Sequence, residues 1–248
     1  MEDLSVDLTV TSPPYDDLRI YKGYHFPFED IANELFRITK IGGIVVWVVG
    51  DKIKNGDKSL TSFRQAIYFQ EIGFNVHDTM IYKKKNTPFM RSNGYTNCFE
   101  WMFVFSKGKP KTFNPITTST VRQGFEPMPV NKGPDGLNTK VLRELKPEKN
   151  LTNIWEYAVG LHGTTSDKFA FEHTAMFPEK LAEDHIISRT NEGDTVFDPM
   201  CGSGTTCKMA KKNNRNYIGC DISQEYVDIS RKRVEVIQNG KDSQSLFS

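Results

Sequence analysis

Two short stretches carry residue types whose spacing could do chemistry. The first, Thr-Ser-Pro-Pro-Tyr, occupies 11–15. Ser12 and Pro13 each precede a proline, which pushes both toward extended backbone. Neither Pro13 nor Pro14 has an N–H that would compete locally. The stretch is a rigid presenter of two acceptors, the Ser12 hydroxyl and the Pro13 carbonyl, with the flat face of Tyr15 beside them. The second stretch is Asp-Pro-Met-Cys-Gly-Ser-Gly-Thr-Thr, 198–206. Gly202 and Gly204 have no Cβ, so a ligand could approach the backbone closely there. A helix starting after them would point amide groups at that ligand. Asp221 follows 17 residues beyond Gly204, and a carboxylate at the end of the next strand suits a ribose diol. The turn has neither GxGxxG spacing nor GK[ST], so it fits neither NAD nor a P-loop nucleotide. The plain alternative is a tight strand–helix turn with no ligand; the strand context and Asp221 weigh against it.

The elements that must hold these stretches can be read from periodicity. VDLTVTS (6–12) is a strand that delivers Ser12. FEDIANELFRIT (28–39) has helical spacing and stops at KIGG. IVVWVV (44–49) is an apolar run suited to a strand covered on both faces. SLTSFRQAIYFQEIG (59–73) is a helix closed by Gly73, and NVHDTMIY (75–82) and CFEWMFVFS (98–106) are strands. After 150 come a helix PEKLAEDHIISRT, strand TVFDPM (195–200), the Gly-rich turn, helix TTCKMAKKNN, strand NYIGCDIS (216–223) and a last helix EYVDISRKRVEVIQ. Such alternation predicts an α/β fold with a mostly parallel sheet. Between 107 and 150 it breaks: six prolines and four glycines interrupt it, and a connection that long is often functional. The expected division is 1–106, an inserted segment 107–150, and 151–248.

Bulk composition narrows the class. With 248 residues, 38% hydrophobic and 25% charged, the chain can bury a core. No apolar run approaches the roughly 18 residues of a membrane span, and MEDLSVDLTV lacks the features of a signal peptide. The four cysteines, Cys98, Cys201, Cys207 and Cys220, form no CxxC pair, which argues against a zinc site and a disulfide framework and for a reducing, intracellular setting. No metal is expected. His173 and His185 have no metal-ligand spacing and read as buried, hydrogen-bonded histidines.

FDPMCGSGTT followed by YIGCDIS resembles the S-adenosylmethionine-binding half of amino-group DNA methyltransferases. Their first strand ends in D-P-F-x-G-S-G-T-T and their second in an acid that holds the ribose. Met200 stands for the usual Phe and Cys201 for a small residue. HTAMFPEKLAEDHI (173–186) is similar to the segment packing against the methionine end of the cofactor. The resemblance thus implies S-adenosylmethionine as cofactor, held by Phe177, Pro178, Asp198, Pro199, Met200, Gly202, Ser203, Gly204, Thr205, Asp221 and Ile222. TSPPY matches the family's [DNS]-P-P-[YFW] motif and implies Ser12, Pro13, Pro14 and Tyr15 as the catalytic group. An exocyclic amine is a poor nucleophile because its lone pair is delocalised into the ring. Acceptors gripping both N–H bonds would localise it and aim it at the methyl group, while an extruded base stacked on Tyr15. No Pro-Cys dipeptide of the ring-carbon cytosine enzymes is present.

The catalytic motif precedes the cofactor motif, as in the circularly permuted subgroup of these enzymes. The implied fold is Rossmann-like, with a target-recognition insertion. ELFRITKIGGIVVWVVGD (34–51) and IYKKKNTPFM…TNCFEWMFVFSKG (81–108) also resemble family segments; 107–150 matches none. Charge agrees with a recognition role. Residues 83–149 hold 13 Lys and Arg against 5 Asp and Glu, and the remainder 19 against 26. Lys83, Lys84, Lys85, Arg91, Lys107, Lys109 and Lys111 are candidates for phosphate contacts on double-stranded DNA, unless this is a solvated basic face. Arg122 and Gln123 could read base edges. Tyr21, Tyr24 and Phe26 could close over the base or pack locally. Asp51 could touch the site or cap a turn.

One departure stands out. The subgroup has a strand ending in G-D-x-L before the catalytic strand, where this chain has only MEDLS. The expectation is a six-strand core where seven are usual, with a more open cofactor pocket. Either the natural chain begins earlier, or a partner subunit fills the gap; a homodimer is a family expectation. Ser12 at the first motif position favours cytosine N4 as the target, with adenine N6 the alternative. A DNA-binding subunit without catalysis stays open, as do RNA and protein amines.

Overall fold

The computed structural model describes residues 1–14, 26–86, 90, 92, 94–122, 124–129, 140–160, 163–165, 167 and 176–237. The elements in chain order are β1 (Val6–Thr11), α1 (Phe28–Ile38), β2 (Thr39–Val49), β3 (Ile53–Lys54), β4 (Asp57–Lys58), α2 (Thr61–Glu71), β5 (Asn75–Lys84), β6 (Phe99–Ser106), β7 (Thr117–Ser119), β8 (Gly124–Pro129), β9 (Lys140–Leu145), β10 (Glu148–Asn150), β11 (Ile154–Tyr157), α3 (Glu179–Arg189), β12 (Thr195–Asp198), α4 (Thr205–Lys212), β13 (Asn216–Gly219) and α5 (Gln224–Glu235). They form two compact units, Met1–Asn114 with Asn153–Ser248, and Pro115–Thr152.

The first unit is built on a seven-stranded sheet in the order β11-β5-β6-β2-β1-β12-β13. Every neighbouring pair is parallel except the two that involve β6. The carboxyl ends of β1, β2, β5, β11, β12 and β13 therefore share one edge, where β6 begins. From β12 the chain winds through α4 to β13; from β1 it winds the opposite way through α1 to β2. The switch point lies between β1 and β12, where open α/β sheets bind ligands.

The expected six strands are seven. β11 is a four-residue strand parallel to β5 at one edge, and no strand was anticipated there from the sequence. At the other edge β13 has no further strand beside it among the described residues, and all four of its residues are exposed.

The centre of the sheet is dry because both faces are covered. Val6, Leu8, Val10 and Ile44–Val49 are buried. On one face Val45, Trp47, Phe103 and Phe105 pack under α1 and α2, with Phe69 stacked on Phe105 at 4.5 Å between ring centroids. Helix α1 buries Ala32, Leu35 and Ile38 and places Glu29 and Asp30 in its first turn and Arg37 in its last, matching the helix dipole. There is no loop after it: Thr39 already pairs with Val6 as the first residue of β2. On the other face, Met102 alternates with Trp101 and Phe103 and meets His185 of α3.

The second unit consists of two antiparallel pairs, β7 with β10 and β8 with β9. Phe125 and Leu142 of the β8–β9 ribbon are each 65% exposed.

Candidate active site

Serine 12 sits at the sheet edge because β1 runs straight into it. Ser12 is half-buried, Pro13 buried and Pro14 half-buried. Tyr15, Tyr21 and Tyr24 lie outside the described residues. Phe26 is described and packs locally, 6.5 Å from Trp47 and 6.4 Å from Phe28 between ring centroids.

Next to Ser12, Thr11 is fully buried and donates its hydroxyl to Asp198 Oδ1 at 2.7 Å. The same oxygen accepts the Met200 N–H at 3.1 Å. In the first turn of α4, Thr206 donates its hydroxyl to the Val10 carbonyl at 3.0 Å. These bonds tie the strand carrying Ser12 to both ends of the Gly-rich loop. Burial pushes the Asp198 carboxyl up to about 6, against the lowering effect of the Thr11 and Met200 donors. Nothing in the local sequence announces this contact, because Thr11 and Asp198 are 187 positions apart.

The loop geometry follows from its glycines. Gly202 and Gly204 have φ of 48° and 82°, a region that favours residues without a Cβ. A Cβ on Gly204 would lie 2.1 Å from Ser230 Oγ on α5. Asp221 accepts the Gly202 N–H at 2.9 Å on Oδ2 and the Ser223 N–H at 2.9 Å on Oδ1. Each oxygen keeps a further lone pair for a diol. Ile222 follows it, 71% exposed, an apolar surface suited to an adenine ring. Phe177 is half-buried and Pro178, at the start of α3, is buried. The fixed carboxylate, the close-approach backbone and the neighbouring apolar face fit an adenosyl ligand.

Ser203 and Thr205 have a different environment from the rest of the candidate cofactor set. Arg233 of α5, 1% exposed, donates Nη1 to the Ser203 carbonyl, Ser203 Oγ and Thr205 Oγ1. Its Nε reaches Asp167 at 2.8 Å and its Nη2 reaches Glu179 at 2.6 Å. Lys208 of α4 binds the same two carboxylates, each at 2.8 Å. Two cations and two carboxylates thus fasten α3, α4, α5 and the loop together. Burial pushes the Asp167 carboxyl up, but Lys208 and Arg233 outweigh it and hold it below the usual range.

The candidate phosphate ligands divide between the two edges of the sheet. Lys83 and Lys84 end β5 on the Ser12 edge and Lys85 follows them; Lys83 pairs with Glu156 at 3.1 Å and Lys84 with Glu100 at 2.6 Å. Lys107, Lys109 and Lys111 follow β6 on the opposite edge, where Lys107 and Lys111 bond Gly42 and Gly43 at the start of β2. Lys107 Nζ donates to the Phe36 carbonyl at 2.5 Å and lies over the Phe36 ring. It is a helix C-terminal cation, and its pKa is lowered by burial. Arg122, in the second unit, pairs with Glu126 at 3.3 Å. Arg91 and Gln123 lie outside the described residues.

Other candidates resolve into structural roles. Asp51 accepts the Ser62 N–H at 3.0 Å and Oγ–H at 2.9 Å, capping α2. His185 is fully buried, 4.7 Å from the Trp155 ring, and burial lowers its pKa to about 3. His173 lies outside the described residues. Among the described residues no helix is long and apolar enough to cross a membrane, and no group of three His, Cys, Asp or Glu could hold a metal. All four cysteines are free thiols.

Residues 6–232 match the family model described as DNA methylase, N6_N4_Mtase. The orphan methyltransferase M.BamHII of Bacillus amyloliquefaciens is 54% identical over 239 residues, spanning 94% of this chain and 90% of that protein. Among solved structures, the cytosine-N4-specific PvuII DNA methyltransferase superposes with a TM-score of 0.69 at 21% identity, covering 96% of this chain and 82% of that one. The M1.HpyAVI–SAM complex does so with 0.60 at 24% identity, covering 94% and 90%. At these identities the shared property is the fold.

Proposed function

The chain belongs to the DNA methylase family, and from that premise we propose that it methylates the exocyclic N4 amine of cytosine in double-stranded DNA. S-adenosylmethionine is the methyl donor of this enzyme class and supplies an electrophilic methyl group on a sulfonium centre. The observation that carries the reading is the bonded junction of Thr11 and Asp198. It supports the reading because Ser12 and Pro13 follow Thr11 directly, at the sheet switch point beside the glycine loop.

The chain's own groups divide the task. Asp221 and Ile222 grip the adenosine end, with Gly202 and Gly204 allowing close approach; Phe177 and Pro178 bound the methionine end. Ser203 and Thr205 act through Arg233, holding the loop's shape. Ser12 Oγ and the Pro13 carbonyl accept the two N–H bonds of the amine. That favours a pyramidal nitrogen with its lone pair localised, and accommodates positive charge as the new N–C bond forms. The amine's surplus proton leaves afterwards to solvent. Pro14 fixes the backbone, and Tyr15 is the proposed stacking face. Lys83, Lys84 and Lys85 are the phosphate candidates on the Ser12 edge. Lys107, Lys109 and Lys111 would need a separate DNA path along the opposite edge. Residues 115–152, with Arg122 and Gln123, are the proposed recognition segment.

Serine at position 12 supports cytosine N4 over adenine N6, because it is typical of N4 enzymes in this family. The test is incubation with S-adenosylmethionine and unmethylated mixed-sequence duplex DNA, digestion to nucleosides and mass detection. N4-methylcytosine is the expected product. N6-methyladenine would keep the mechanism and overturn the base. No methylated nucleoside from folded, cofactor-bound protein would favour a DNA-binding subunit that needs a partner, or a substrate other than DNA.

A further inference from the structure

Leu60 has φ 53° and ψ 23°, a left-handed conformation that is costly for any residue with a Cβ. Packing does not compensate for it, because the side chain is 48% exposed. Asparagine or glycine would take this backbone more readily. Strain in an exposed leucine calls for a reason outside the core.

The surroundings supply one. The chain leaves the carboxyl end of β2, next to the strand of Ser12, and makes a two-stranded ribbon. Ile53 pairs with Lys58 and Lys54 with Asp57, around an Asn55-Gly56 turn with φ of 52° and 83°. Both positive values mark the tight hairpin whose twist suits its strands. The base is fixed: the Ser59 N–H reaches the Lys52 carbonyl at 3.0 Å, Asp51 holds Ser62, and Arg64 Nη1 reaches the Ser59 carbonyl at 3.0 Å. Lys54 and Lys58 are exposed, and among the described residues neither is in an ion pair. Beyond them Phe63, 41% exposed, stands edge-on to Trp101 at 5.3 Å.

We propose that this ribbon and Leu60 are a DNA-seating element: Lys54 and Lys58 hold backbone phosphates beside the target, and Leu60 lies against the base stack next to the extruded nucleotide. Lys54 and Lys58 suit a polyanion and outnumber Asp57, the exposed register partner of Lys54, two to one on the ribbon. The rigid base of the ribbon holds the exposed Leu60 beside it in place before binding, as wedging side chains require when they enter an opened step. The proposal rests on DNA being the substrate.

Two variants of the full chain test it. For K54Q/K58Q, anisotropy on a mixed-sequence 30-base-pair duplex across salt concentrations should show the slope of log K against log[salt] reduced by about 1.8, two contacts' worth. Cofactor affinity should not change. L60N relieves the strained backbone, so its melting temperature should equal or exceed that of the wild type. Its methylation rate on duplex DNA should nonetheless fall at least ten-fold. Either variant behaving as wild type overturns the proposal while the wild type methylates DNA. A wild type that neither binds nor methylates DNA overturns the substrate reading and this proposal together.

Discussion

Thr11 Oγ1 donates to Asp198 Oδ1 at 2.7 Å, so the last residue of the strand leading to Ser12 is bonded to the residue that opens the glycine loop. Thr11→Val keeps the shape and removes the donor. A buried carboxylate oxygen is then left with fewer partners, at a cost of about 1–3 kcal/mol. The urea midpoint should fall with an unchanged m-value. Because the bond also positions Ser12, kcat should fall about ten-fold with little change in KM. Thr11→Ser, which restores the hydroxyl, should recover both. A destabilised Thr11→Val enzyme with wild-type kcat would confine the bond to structure.

Asp198 gives a pH signature of unusual sign. Burial raises its carboxyl to about 6 from an ordinary value of 3.8. Between those values the folded protein holds a proton that the unfolded chain has released. Its contribution to stability therefore falls as pH rises from about 4 through 6. Above 6 the buried charge is a full liability, of about 3 kcal/mol for a rise of this size. Asp198→Asn keeps an acceptor for Thr11 and the Met200 N–H without the charge. Urea unfolding at pH 8 should show the variant more stable by up to about 3 kcal/mol, with the difference shrinking toward pH 4. A difference that does not vary with pH would remove the carboxylate as its source.

How much of this was legible in the sequence depended on range. TSPPY and DPMCGSGTT announced themselves because proline, glycine and strand context act within a few residues. β11 has no such local signal, because Ile-Trp-Glu-Tyr is four residues long and only its pairing with β5 makes it a strand. The Arg233–Glu179–Lys208–Asp167 network was invisible because it joins residues up to 66 positions apart. Lys107 looked like a phosphate ligand within a basic run, but the antiparallel course of β6 carries it to the opposite edge from Ser12. The β3–β4 ribbon has a turn signal in Asn55-Gly56, but its strands are two residues each, too short to show an alternation.

Gly204 bears two separable constraints. Its φ of 82° disfavours a side chain, and a Cβ would meet Ser230 Oγ at 2.1 Å and Ser230 Cβ at 2.7 Å. Gly204→Ala should therefore cost more than the roughly 1–2 kcal/mol of a left-handed alanine alone, and cofactor affinity by calorimetry should drop with it. Ser230→Gly in the same chain removes the two closest contacts but leaves the Ser230 Cα at 2.9 Å and the backbone penalty in place, so the double variant should recover part of the loss. Full recovery would assign the whole effect to the Ser230 side chain; none would assign it to φ and the remaining backbone contact.

Ser12 separates chemistry from assembly. If its hydroxyl accepts an N–H of the amine chiefly as charge develops, Ser12→Ala removes an interaction made in the transition state. Such a loss lowers kcat and kcat/KM together. Deleting a single preorganised hydrogen-bonding group of this kind costs about 10²–10³ in rate, so methyl transfer should fall by about that factor. Cofactor affinity should hold, because Asp221, Ile222 and the glycine loop are untouched. DNA affinity should hold too, because no phosphate ligand changes. Ser12→Asp restores an acceptor at the same place and should regain part of the rate. Equal kcat in Ser12→Ala and wild type would mean that Ser12 carries no part of the lone-pair localisation, leaving the Pro13 carbonyl as the acceptor that remains.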